Sequence, residues 1–117
     1  MGTNELGSYT EVGFKNYYVA LIEHIRSINT NSVIYALSIP PVSERKSNND
    51  ELFNNDNVVL FNSYIRDICE ETNIVFIDNG EFFGIVLNSE WTSDGMHLYG
   101  NIYKKWYQFI LTKISEI

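Results

Sequence analysis

Two short runs, SVIYALSI and NIVFIDN, constrain what this chain can fold into more than any other feature. Each is apolar on successive rather than alternate residues, so both faces of the strand it forms are buried. Parallel strands covered by helices on either side meet that condition. The first run stops at Pro40-Pro41, whose missing amide hydrogens and fixed φ end strand pairing and helix alike. Between and around the runs the apolar spacing becomes helical. Phe14, Tyr18, Leu21, Ile22, Ile25 and Ile28 fall three and four apart, with Lys15, Asn16, Glu23 and Arg26 between them. The spacing predicts a second helix from Val58 to Glu71 with Phe61, Ile65, Ile68 and Cys69 on one face. A last helix runs from about Tyr99 to Ile117, with Ile102, Trp106, Phe109, Ile110 and Ile114 on its buried side. The segment PVSERKSNNDELFNND reads as a long polar loop, and Gly80 to Gly95 as irregular.

The order is therefore turn, helix, strand, loop, helix, strand, loop, helix, without an internal repeat. At 117 residues this is a single domain over 1–117. A doubly wound sheet has about five strands, in the order 2-1-3-4-5. Two strands are too few, so the fold class expected is α/β, part of a flavodoxin-like parallel sheet in three α/β/α layers that lacks its N-terminal strands. An open edge along Val33, Ile34, Leu37 and Ile39 would then need covering, by a second copy of the chain or by a separate N-terminal fragment.

Composition narrows the functions. Hydrophobic residues make up 44% and charged residues 20%, as in ordinary folded chains. The formal net charge is −7, and the basic residues form no cluster fit for a phosphate backbone, so nucleic acid is not an expected partner. No apolar run approaches the ~20 residues that span a bilayer, and the first residues do not form a secretory signal. The chain as it stands reads as cytoplasmic, with an upstream signal left open. Cys69 cannot pair within the chain and fits a small buried hydrophobe. His24, beside Glu23 in mid-helix, reads as a solvated or packed helix residue, so two histidines imply no metal site. NNDELFNNDN lacks the central glycine and terminal glutamate of a calcium loop and reads as a solvated border.

The segment WTSDGMHLYGNIYKKW carries the most chemistry. Asp94 can accept a hydrogen bond from the Nδ1 of His97 three residues on, fixing the tautomer and leaving Nε2 as a base. The same D-x-x-H also describes a capped turn with a loop histidine. Asn4 sits in a turn of the kind that leaves a strand's carboxyl end. Its amide there can either donate to an oxyanion or simply shape the turn.

Taken together, G-T-N-E at Gly2–Glu5 and D-G-x-H-L at Asp94–Leu98 resemble blocks III and V of the SGNH hydrolases, the GDSL-type esterases and lipases. Pro40-Pro41-Val42, Phe61-Asn62, Phe76-Ile77-Asp78, Tyr103 and Trp106 add to a likeness that spans essentially the whole chain. The resemblance implies hydrolysis of a small acyl ester of a sugar or lipid, without a cofactor. It gives Asn4 to the oxyanion hole, Asp94 as the residue that orients the base, and His97 as that base. Glu5 replaces the usual aspartate, and Ile102 stands where many members have glycine. The serine-bearing block I and the glycine of block II have no counterpart after Met1, so the chain resembles the C-terminal part of such a hydrolase. Ser8, Ser38, Ser43, Ser63, Ser89 and Ser93 lie in no G-x-S-x-G or G-D-S context, and none is nominated as a substitute. The competing expectation is a noncatalytic half-domain that binds another chain.

Overall fold

The computed structural model describes residues 10–117. Helix α1 (Glu11–Ile28) starts where the Thr10 side chain accepts from the Gly13 amide, with Glu11 in the first turn. Strand β1 (Tyr35–Leu37) follows. The segment read as a polar loop contains a short helix, α2 (Glu44–Asn48), capped by Ser43. Helix α3 (Asn55–Thr72) is capped by Asn54 and ends at Asn73, whose φ of 57° is the left-handed turn of a helix C-terminus. Strand β2 (Val75–Ile77), helix α4 (Gly80–Phe83), a single 3₁₀ turn at Ser89–Trp91 and helix α5 (Gly100–Ser115) complete the order. Alternating strand and helix thus holds. Each strand, however, is only three residues long, and α2, α4 and the 3₁₀ turn occupy stretches expected to be irregular.

β1 and β2 pair in parallel, with Tyr35, Ala36 and Leu37 opposite Val75, Phe76 and Ile77. Against this small sheet, α1 and α3 bury Phe14, Tyr18 and Ile22 together with Phe61, Ile65, Ile68 and Cys69. This is the expected face of α3. On α1 the apolar stripe is narrower than its sequence, for Ile28 is 74% exposed. Burial pushes the Cys69 thiol up to about 11, which keeps it a neutral hydrophobe at physiological pH.

The crossing from β1 to α2 is held by two α3 asparagines. The Asn62 Oδ1 accepts from the Ile39 amide at 2.6 Å while its Nδ2 donates to the Ile39 carbonyl at 3.0 Å. About two turns earlier on the same face, Asn55 does the same for Val42 at 2.8 and 2.9 Å. Pro40 and Pro41 have no amide hydrogen to satisfy, so two side chains suffice to pair every backbone donor from Ile39 to Val42. Asn62→Leu strands both groups of buried Ile39 and is expected to cost about 2–3 kcal/mol, read as a lower denaturant midpoint at unchanged slope.

Helix α5 departs most from expectation. Ile102 is its one buried residue, and Tyr103, Tyr107 and Leu111 are 44%, 59% and 42% exposed. Its inward contacts are aromatic: Trp106 lies 5.2 Å from Phe83, and Phe109 5.5 Å from Phe82. The Trp106 indole donates to the Oδ1 of fully buried Asn79 at 2.9 Å. Asn79 in turn donates from its amide nitrogen to the Ser38 carbonyl and from its backbone to the Ser38 hydroxyl, both at 2.7 Å. The ends of both strands and α5 are therefore joined through one side chain.

Candidate active site

The loop between the 3₁₀ turn and α5 folds back on itself. Thr92 bridges Leu98 in antiparallel fashion, and the Tyr99 amide donates to the Trp91 carbonyl at 2.9 Å. Inside this closure Asp94 Oδ1 accepts from the Met96 and His97 amides at 2.8 and 2.7 Å, an Asx turn that uses one carboxylate oxygen. The other oxygen, Oδ2, lies 2.6 Å from His97 Nδ1. That contact first, and the two amides after it, hold the Asp94 carboxyl well below the usual carboxylate range. An ionised carboxylate can only accept, so Nδ1 is the donor, and in the neutral imidazole Nε2 then presents a lone pair. Asp94 and His97 are thus brought together, in the arrangement a general base needs.

Gly95 locks this loop against the β1–α2 crossing. Its φ is 86°, its carbonyl accepts from the Ser43 amide at 2.9 Å, and a Cβ there would lie 2.5 Å from Ser43 Oγ. Only glycine fits both the conformation and the contact. His97 itself is open, with its side chain 75% exposed.

Beneath the imidazole is a cleft of about 300 Å³, walled by Leu37, Ile39 and Pro40 at the end of β1 and by Tyr103 and Trp106 of α5. On the other side of the Asp94 loop is a wider trough of about 1030 Å³, bordered by Ser43, Arg45, Lys46, Asn88 and Ser93. The first is more apolar than polar, and the second is evenly mixed.

Asn4 and Ser8 lie outside the described residues. The remaining serines have other partners or places. Ser38 accepts from Asn79, Ser43 from Lys46, and Ser63 donates to the Leu60 carbonyl. Among the described residues none of them is hydrogen-bonded to His97, and no three His, Cys, Asp or Glu side chains group as a metal site. No described helix is long and apolar enough to cross a membrane. Sequence reasoning passed over Asn79 and Thr92. A polar pair, Asp78-Asn79, closing an apolar strand, and a Thr two residues before the Asp of D-x-x-H, were the only signals, and neither is specific.

Acid should undo the loop before the core. Asp94 and Asp50 both have depressed carboxyls in the fold. Asp50 is lowered to about 2 by Lys46 first and then by the Phe53 and Leu52 amides. Stability from a depressed carboxyl is complete above the unfolded value of about 4 and is lost as pH falls through the folded one. The side-chain carboxyl ¹³C resonance of Asp94 is accordingly expected to titrate well below the range of an unpaired aspartate.

No protein-family model and no curated protein matches the sequence. Solved structures do match. One is a protein from Streptococcus pneumonia provisionally described as a platelet activating factor. It has a TM-score of 0.80 and 23% identity, over 92% of this chain and 54% of that one. Another is the esterase domain of the ORF1 protein of the zebrafish ZfL2-1 retrotransposon. It has a TM-score of 0.72 and 21% identity, over 100% of this chain and 66% of that one. The fold is esterase-like. The chain spans about half of the first neighbour and just under two thirds of the second.

Proposed function

We propose that this chain is the C-terminal part of a serine carboxylic-ester hydrolase of the SGNH, GDSL-type class, and supplies its acid–base pair. The observation that carries this reading is the 2.6 Å contact between His97 Nδ1 and an Asp94 held ionised, on an esterase-like backbone. In the completed enzyme a serine from the preceding part of the fold attacks the ester carbonyl. His97 Nε2 takes the serine proton and returns it to the leaving alcohol, and Asp94 stabilises the imidazolium formed between those steps. Asn4 donates to the oxyanion. Water then repeats the sequence on the acyl-enzyme. The small apolar cleft under His97 suits a short acyl group, and the wider trough beside Asp94, edged by Arg45, Lys46, Asn88 and Ser93, has polar groups for a hydroxylated alcohol such as a sugar. In this reading the two strands take central places in a three-layer α/β/α sheet, where the flavodoxin-like order would set the strand preceding block III beside β1.

A second reading is favoured by α5. Tyr103, Tyr107, Ile110 and Ile114 follow the four-three spacing of a helix-packing seam, yet Tyr107 is 59% exposed. In that reading the chain is a noncatalytic module whose seam binds a second copy or another polypeptide. Assay of p-nitrophenyl acetate hydrolysis separates the two. The 117-residue chain alone is expected to turn over no faster than buffer, and addition of the polypeptide encoded directly upstream is expected to create activity. Binding of that polypeptide without any hydrolysis favours the module, and esterase activity of the chain alone places the nucleophile among its own serines.

A further inference from the structure

The imidazole of His97 is three-quarters exposed, so packing does not hold it. Hydrogen bonds do. Its backbone amide donates to Asp94 Oδ1, its Nδ1 meets Asp94 Oδ2, and its backbone carbonyl accepts from the Thr92 hydroxyl at 2.6 Å. Nε2 is the one polar atom of His97 left over among the described residues. Thr92 is buried, and its Oγ1 also accepts from the Gly95 amide at 3.0 Å and stands 3.2 Å from Asp94 Oδ1. A hydroxyl has a single proton. It is shared between the His97 carbonyl at 2.6 Å, the shorter contact, and Asp94 Oδ1 at 3.2 Å, while the Gly95 amide donates to the hydroxyl oxygen.

We propose that Thr92 is the positioning residue of the acid–base pair: its hydroxyl ties the His97 carbonyl to the Gly95 amide and so keeps Asp94 Oδ2 in line with His97 Nδ1. The proposal deepens the hydrolase reading above, but the geometry it concerns belongs to this chain alone. A valine at the position keeps the shape and the β-branch, yet it leaves the His97 carbonyl and the Gly95 amide without their partner. The Asx turn then has no fixed base, and the imidazole is free to choose its tautomer.

The test is the ¹⁵N spectrum of the His97 side chain in the full chain, recorded above the imidazole titration. Wild type and Thr92→Ser are expected to show Nδ1–H as the dominant tautomer. Thr92→Val is expected to lose that dominance in favour of the Nε2–H form. If valine prevents folding, Thr92→Cys replaces it, since a thiol is a weak donor, and the same loss is expected. An Nδ1–H tautomer as dominant in the valine or cysteine variant as in wild type overturns the proposal. So does its loss in the serine variant, which would assign the effect to the methyl group. Absence of esterase activity in any assembled form would count against the hydrolase reading and would leave this spectrum unchanged.

Discussion

Replacement of His97 by alanine is expected, on the proposed hydrolase reading, to lower ester hydrolysis by the chain assembled with a serine-bearing part by about 10⁶ in kcat, with KM little changed. Within a Ser–His–Asp unit, removing the base costs about as much as removing the whole unit, because the serine is then no nucleophile at neutral pH. The structure puts no other described side chain on Asp94 Oδ2 that could take over, since His97 Nδ1 holds it at 2.6 Å. Asp94→Asn should cost less, about 10⁴, because the imidazole survives but in the wrong tautomer. Steady-state kinetics on the two variants check the order as well as the size of the effects. Equal losses would mean that Asp94 does more than orient the base.

The second large effect is on stability. Phe14 is fully buried at the centre of the α1–α3 contact, with Phe61 edge-on at 4.8 Å, Tyr18 at 5.7 Å and Tyr64 at 6.2 Å. Phe14→Ala empties the middle of this cluster, and the facing rings are too large to rotate into the space. A loss of about 3–5 kcal/mol is expected, set against a net stability of about 5–15 kcal/mol for a domain of ordinary size. Equilibrium urea denaturation measures it, and a loss below about 1 kcal/mol would show that the α1–α3 packing is not the main core.

The sequence showed the helical parts of this core well. Period-3.6 spacing identified Phe61, Ile65, Ile68 and Cys69 on the buried face of α3 and missed Val58 one turn earlier. The strands were harder. SVIYALSI is apolar over a full strand's length, but only Tyr35–Leu37 pair, and Val33 is 71% exposed. Apolar runs report what a strand is made to bury, and the pairing depends on what lies beside it. The same reason explains α5, where five residues expected to be buried reduce to Ile102 alone. Trp106, Phe109, Ile110 and Ile114 are half-buried on the same side.

At the site, the D-x-x-H spacing was legible because three residues are the span of an Asx turn, and the structure closes it through Asp94 Oδ1. Thr92 and Asn79 were not legible. Each acts through hydrogen bonds to backbone groups brought near by the tertiary fold, and no spacing rule encodes those. The assignment of Asn4 falls on residues outside those described.

Labelling with a fluorophosphonate, which reacts with an activated serine, tests the central claim most directly. The account predicts no labelled serine on the 117-residue chain alone. Mixing it with the upstream-encoded polypeptide is predicted to label one serine of that polypeptide, and His97→Ala in this chain to abolish the label. Labelling of Ser38, Ser43, Ser89 or Ser93 in the chain by itself, lost with His97→Ala, would contradict it.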